Sequence, residues 1–336
     1  MTPPKVEIYT QWGCPYCVRA KALLDSKKVA YTEIDVTMDT AKRREMAERN
    51  PGARTVPQVF VNDQALGGLL QMTSGIDPAV NAAAIADAAR AASAGGATML
   101  FTPEMCGLID RDRARAAPHI VAPEENPVLA AAREVAAQEG IWIVLGSLAV
   151  RVEGEERAAN RTFVIDAKGG IAAHYDKIHM FDVDLATGES WRESRAYRPG
   201  DRVVTVDTPA GRLGLAICYD LRFPALFEAL GRARCDLIAI PAAFTVPTGA
   251  AHWHIMQRAR AIEASAYVLS AAQVGQHQDG RATYGHSLAV DPWGDVLLDL
   301  GGEAAGLGFA EIEPQRLAEI RAQLPSLANR RPISVT

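Results

Sequence analysis

An apolar run that stops on a thiol constrains this chain more than any other feature. In Gly214-Leu215-Ala216-Ile217-Cys218-Tyr219-Asp220-Leu221-Arg222-Phe223-Pro224, a strand pattern ends at Cys218, turns over 220–224 and restarts as a helical stretch at 225–231. A strand feeding a helix through a short turn belongs to an α/β fold, and groups at the carboxyl ends of buried strands face a crevice. A thiol in that place is held rigidly. Nearby backbone N–H groups are expected to lower its pKa and to receive a developing oxyanion. Two further predicted strands end on suitable partners. Thr98-Met99-Leu100-Phe101-Thr102 runs into Pro103-Glu104, and Ile171-Ala172-Ala173-His174-Tyr175 runs into Asp176-Lys177. An acid, an amine and a thiol at three strand ends suggest nucleophilic acyl transfer.

The alternation continues along the chain. After a β-α-β-α-β-β series within the first 65 or so residues, composition changes at Gly67-Gly68, and 78–94 reads as a long Ala-rich helix stopped by Gly95-Gly96. Helices at 130–139, 225–231 and 252–264 then separate groups of strands, predicting layered sheets with helices outside. The stretch 180–200 has no clear period and reads as an active-site loop. Two domains are expected, 1–68 and 69–336, and no internal repeat is visible.

Bulk properties exclude several classes of function. A net charge of -5 offers no basic face for nucleic acid or anionic lipid. The longest apolar stretches, near 140–150 and 237–246, are too short to span a bilayer, and Pro241 interrupts the second. The first residues carry no apolar signal core, so a cytoplasmic location is expected. Five cysteines do not make a disulfide framework. Cys106 and Cys235 lack chemical partners and read as structural. His252 and His254 hint at a metal pair, but no carboxylate or further His or Cys grouping supports it in sequence, so no metal is expected. The absence of a Gly-x-Ser-x-Gly elbow argues against a serine hydrolase.

Five motifs in order resemble the carbon–nitrogen hydrolase (nitrilase) superfamily: Leu69-Leu70-Gln71-Met72, Thr102-Pro103-Glu104, Tyr175-Asp176-Lys177-Ile178-His179-Met180-Phe181-Asp182, Cys218 through Pro224, and Tyr284-Gly285-His286-Ser287 through Pro292-Trp293-Gly294. The resemblance implies a four-layer α-β-β-α sandwich. It makes Cys218 the nucleophile, Glu104 the general base and acid, and Lys177 the oxyanion stabiliser together with the backbone N–H after Cys218. Glu193 becomes the second glutamate that braces Lys177, with Glu189 as a competing alignment. Arg222-Phe223-Pro224, Thr248-Gly249 ahead of His252-Trp253-His254, and Ala271-Ala272-Gln273 are similar to the Nit subgroup. That likeness implies hydrolysis of deaminated glutathione to 2-oxoglutarate and cysteinylglycine. An anionic substrate needs a guanidinium, and Arg222, Phe244, Thr248 and Tyr219 are the candidate contacts. The competing reading of Arg222 is a structural ion pair with a loop acid such as Glu193. Two other functions remain open: an ω-amidase acting on 2-oxoglutaramate, and a redox-regulated binding protein with an inert hydrolase body. Nitrilase relatives commonly pair, so a homodimer is expected.

The amino-terminal stretch resembles glutaredoxin, a small thioredoxin-like domain. Cys14-Pro15-Tyr16-Cys17 sits on a strand-to-helix turn, and Thr55-Val56-Pro57 precedes a later strand. The resemblance makes Cys14 the attacking thiolate, Cys17 the resolving thiol, Pro57 a cis-proline and glutathione a candidate reductant. Half of a zinc site is the alternative, without a second Cys pair to complete it. A polar Asp-bearing segment and a terminal helix would be expected after Gly67-Gly68. The sequence runs instead into Leu69-Leu70-Gln71-Met72, so the last helix and the glutathione carboxylate site are expected to be missing and the opening of the first hydrolase strand to be clipped or replaced.

Overall fold

The computed structural model describes residues 6–26, 29–49, 55–61, 65–186, 188 and 190–332. Two compact units divide the chain, Met1–Gln64 and Ala65–Thr336. In the first unit, β1 (Val6–Thr10), α1 (Pro15–Ser26), β2 (Tyr31–Asp35), α2 (Thr40–Arg49) and β3 (Gln58–Val61) follow in order. β1 lies centrally, parallel to β2 and antiparallel to β3. Tyr9, Val36 and Met46 form its small core. The Val56–Pro57 peptide bond is cis. Asn62-Asp63, a dipeptide that favours a hairpin turn, lies outside the described residues, and among the described residues this unit holds no third helix.

The expected fourth strand of that module belongs elsewhere. β4 (Ala65–Gln71) opens the second unit and pairs along its whole length with the chain's last strand, from Ala65 opposite Ile312 to Gln71 opposite Gly306. The strand therefore crosses the 68/69 boundary read from the sequence. Its opening is not clipped, because residues 65–68 take that place and supply the first pairs of the ladder.

The second unit continues with α3 (Pro78–Ala94), β5 (Met99–Phe101), α4 (Arg113–Ala116), α5 (Pro127–Glu139), β6 (Trp142–Val150), β7 (Ala159–Ile165), β8 (Ile171–Asp176), β9 (Asp182–Asp184), β10 (Ser190–Arg192), β11 (Thr205–Thr208) and β12 (Gly211–Leu215). Then come α6 (Pro224–Arg232), β13 (Leu237–Ala239), α7 (Val246–Ala264), β14 (Tyr267–Ser270), β15 (Val274–Gln276), β16 (Ala282–Tyr284), β17 (Leu288–Val290), β18 (Val296–Asp299), β19 (Gly306–Ile312) and α8 (Pro314–Gln323). Two six-stranded sheets result, ordered β19-β4-β5-β6-β7-β8 and β11-β12-β13-β14-β17-β18. Both follow one plan, three parallel central strands with antiparallel strands outside them.

Strand alternation decides which layer each residue fills. Met99, Phe101 and Val144 join Leu213, Leu215 and Leu237 in the core that contains the second sheet. Leu100, Ile143 and Leu145 point the other way, to the cluster under α3 and α5. Leu226, Phe227, Trp253 and Ala261 of α6 and α7 cover the far face of the second sheet. This is the four-layer α-β-β-α sandwich. Burying a side chain such as Phe101 contributes about 1.5–3 kcal/mol.

Helix α3 has the limits read from sequence. Asp77 accepts a hydrogen bond from the Ala79 N–H at 2.9 Å, Pro78 takes the first position, and Gly95 caps the end. Several elements depart from the sequence reading. α7 starts at Val246 rather than 252, the 180–200 segment contains the β9–β10 hairpin, and α4, β15, β16, β18 and α8 have no counterpart in it. Leu317 and Ile320 of α8 are buried, so packing stabilises a helix with little intrinsic signal. No helix of the described residues is long and apolar enough to cross a membrane.

Candidate active site

Two close backbone approaches set the site. A Cβ on Gly146 of β6 would lie 1.9 Å from the Thr102 carbonyl oxygen, so only glycine lets the chain leaving β5 run this close to β6. That path delivers Glu104. A Cβ on Gly200 would lie 2.2 Å from the Asp176 carbonyl oxygen, and the Gly200 N–H donates to the Lys177 carbonyl at 2.8 Å. That contact fixes the end of β8, where Lys177 begins its reach inward.

Glu104 is buried, and each carboxylate oxygen has a partner. Oε1 accepts from Lys177 Nζ and Asn160 Nδ2, both at 2.9 Å, and Oε2 accepts the Ala243 N–H at 2.9 Å. Lys177 is only 2% exposed, so its ammonium depends on its neighbours. Nζ also donates to Glu193 Oε1 at 3.0 Å and Oε2 at 2.9 Å. Burial by itself would lower the lysine pKa, but Glu104 and Glu193 outweigh it and hold the pKa well above the ordinary value. Glu193 is itself fixed by the Phe181 N–H at 2.6 Å and Asn160 Nδ2 at 3.1 Å. Glu189, the competing candidate, lies outside the described residues.

Cys218 opens the turn after β12 with φ +48°, a left-handed conformation that costs a side-chain-bearing residue of the order of 1 kcal/mol or more. Asp220 holds that turn. Its Oδ2 accepts the Ile217 N–H at 2.9 Å and the Tyr175 hydroxyl at 2.7 Å, and its Oδ1 accepts the His179 N–H at 3.0 Å. His179 Nδ1 lies 2.7 Å from the same oxygen, and its ring stacks on Phe223 at 3.5 Å. The thiol does not have the lowered pKa expected from its strand-end position. Burial raises it, the Glu104 carboxylate raises it further, and Lys177 and the Ala243 N–H only partly offset this. Desolvation outweighs the helix-end effect because the sulfur is enclosed.

Glu104, Lys177, Glu193 and Cys218 all line one cavity of about 940 Å³. Tyr219, Arg222, Phe244 and Thr248 line it too, so the structure brings together every site residue read from the second part of the sequence. Arg222 does not pair with Glu193, whose oxygens go to Lys177. Its Nη1 lies 3.3 Å from His252 Nδ1, and its guanidinium lies 5.8 Å from the Tyr219 ring centre and 5.5 Å from that of Phe244. The Thr248 hydroxyl is 2.7 Å from that of Thr245, and Phe244 packs on Trp253 at 4.8 Å.

Residues 68–322 match the family described as carbon–nitrogen hydrolase. The chain belongs to the carbon–nitrogen hydrolase family. Residues 6–66 match the glutaredoxin family. Similar proteins include the deaminated glutathione amidases of Yersinia enterocolitica and Homo sapiens. The first is 40% identical over 268 residues, covering 79% of this chain and 93% of the relative. The second is 38% identical over 271 residues, covering 80% and 82%. Among solved structures, the C. elegans NitFhit protein is similar with a TM-score of 0.73 and 35% identity, over 80% of this chain and 65% of that one. Family and relatives make this chain an amidohydrolase.

Several residues of the hydrolase site carried no sequence signal. Asn160 bridges both glutamates from β7, and its side-chain oxygen has no partner among the described residues. An isolated Asn in a strand gives nothing to read until Glu104 and Glu193 arrive from elsewhere. Trp191, Arg111 and Arg281 also line the cavity from separate loops and hairpins. A possible cation-holding group was likewise invisible. His254, rather than His252, meets His286 and Asp299, with donor atoms all within 4.8 Å of one another. The sequence reading found no carboxylate for that histidine because β18 supplies it from a distant part of the chain. In the structure Asp299 instead takes both rings, with His254 Nε2 and His286 Nδ1 each 2.9 Å from it.

In the first unit, Cys14 immediately precedes α1 and Cys17 lies in its first turn. The Cys17 N–H donates to Cys14 Sγ at 3.1 Å, and Cys14 Sγ lies 3.7 Å from the Val56 carbonyl oxygen. The Cys17 side chain and this helix-end N–H hold the Cys14 pKa below the ordinary thiol value, whereas burial raises that of Cys17. All five cysteines are free thiols.

Proposed function

We propose that the enzyme hydrolyses deaminated glutathione to 2-oxoglutarate and cysteinylglycine through a thioester on Cys218. One observation carries the reading: a buried thiol shares a cavity with a carboxylate that bonds a fixed ammonium. Glu104 takes the Cys218 proton as sulfur attacks the amide carbonyl. This transfer leaves the net charge of the buried cluster unchanged, so a raised thiol pKa does not prevent it. Lys177 and the backbone N–H after Cys218 stabilise the oxyanion. Glu104 passes its proton to the leaving amine, and the C–N bond breaks. It then takes a proton from the water that opens the thioester, releasing the oxo-acid and restoring the thiol. Glu193 and Asn160 position Lys177 and Glu104.

Arg222, framed by Tyr219 and Phe244 and without an acidic partner among the described residues, is the group proposed to hold the oxo-acid carboxylate, with Thr248 beside it. An ω-amidase acting on 2-oxoglutaramate would use the same chemistry, but a cavity of about 940 Å³ suits the larger substrate. The assembled acid, ammonium and thiol favour a working enzyme over an inert binding body. For the first unit, we propose that Cys14 attacks and Cys17 resolves, with glutathione as reductant and no further cofactor. A cytoplasmic homodimer completes the proposal. Purified protein should release 2-oxoglutarate from deaminated glutathione, and Cys218→Ala should abolish it. Wild-type protein that releases none defeats the reading.

A further inference from the structure

The cavity has a second cationic end. Arg111 and Arg281 each place their guanidinium 5.3 Å from the ring centre of Trp191, on the β9–β10 hairpin. Arg281 pairs with Asp279 at 2.8 Å, but Arg111 has no ion-pair partner among the described residues, so this end keeps uncompensated positive charge. An aromatic path joins it to the other end. Trp191 lies 6.2 Å from Phe181, Phe181 lies 5.1 Å from Tyr219, and Tyr219 carries Arg222 on its far contact. Cys218 adjoins Tyr219 in the chain, so the reacting sulfur belongs to the Arg222 end and the Trp191 end lies two ring steps away.

We infer that Arg111, with Arg281 and Trp191 behind it, binds a carboxylate carried by the leaving amine. The hydrolase is then selective for amides whose amine portion is a short peptide with a free C-terminus. An extended dipeptide spans about 7 Å, longer than either ring step and shorter than the two laid end to end. A guanidinium resting over an indole is partly pre-oriented and accepts a carboxylate with less further loss of freedom than a free one. Ammonia leaving from a primary amide would make no use of this end. The inference rests on the amidase reading above and assigns the part of the cavity which that reading leaves empty.

The test compares 2-oxoglutaryl-cysteinylglycine with the same compound amidated at its C-terminus, by 2-oxoglutarate release. Wild-type kcat/KM should favour the free acid by roughly tenfold or more, the scale of a lost charge-assisted hydrogen bond. Arg111→Ala should collapse that ratio towards one, chiefly through KM, and Arg111→Lys should restore part of it. A wild type that treats acid and amide alike overturns the inference, as does an Arg111→Ala enzyme that loses both equally. Calorimetric binding of cysteinylglycine against cysteinylglycine amide is read in parallel and needs no chemistry at Cys218. Preference for the free dipeptide that vanishes in Arg111→Ala supports the subsite even where no substrate turns over. Its absence sinks the subsite while leaving the amidase reading standing.

Discussion

Cys14 and Cys218 occupy the same kind of place, the junction between a strand and a helical turn, yet their surroundings act in opposite directions. Cys14 stands at the mouth of α1 with a helix-end N–H and the Cys17 thiol directed at its sulfur, and its pKa is lowered. Cys218 is enclosed beside a carboxylate, and its pKa is raised. Local geometry alone therefore does not set thiol reactivity. Exposure decides whether the N–H groups prevail or desolvation does. One unit presents a sulfur ready to ionise before it meets its partner. The other keeps its sulfur protonated until a base and an electrophile are both in place.

The sharpest way to break this contrast is to remove the base. Glu104→Gln keeps the size of the side chain but cannot accept the Cys218 proton, and kcat should fall by roughly 10²–10⁴-fold. A variant that retains most of the wild-type kcat would mean that Cys218 ionises without Glu104. A smaller effect is expected from alkylation of the substrate-free protein at neutral pH. Cys14 should be labelled on the order of tenfold or more faster than Cys218. As pH rises, the Cys14 rate should level off below the ordinary thiol pKa, because a depressed pKa means the thiolate is already formed there. The Cys218 rate should still be climbing above that value. Peptide mass spectrometry reads both, and earlier labelling of Cys218 would reverse the assignment. Smallest is Cys17→Ala, which removes the first cause of the Cys14 shift but leaves the backbone N–H. Cys14 alkylation near neutral pH should slow by about two- to fivefold. An unchanged rate would give the whole shift to the helix end.

The sequence was most readable where one segment carried its own signal. Asp77, Pro78 and Gly95 bound α3 within their own stretch of chain, and the structure keeps the limits read from them. Cys218, Glu104 and Lys177 were found because each ends a strand-like run. Asn160 was not, since its role exists only when two glutamates from other segments meet its amide. The ownership of β4 was likewise hidden. Residues 65–68 look like the end of the first module until β19, at the opposite end of the chain, supplies their hydrogen-bond partners. The common plan of the two sheets left no visible repeat, because many apolar side chains can fill the same strand register.

What the sequence determined by itself was the chemistry on offer: an acid, an amine and a thiol at strand ends, and a second pair of thiols at a helix start. These follow from short-range patterns of periodicity, caps and turns. Only the tertiary structure decided the protonation of Cys218, the bracing of Lys177 by two carboxylates, and the meeting of Arg111 and Arg281 at Trp191. Each of these depends on burial and on Coulomb interactions between residues distant in the chain, and such energies come into being only when folding removes water from between them.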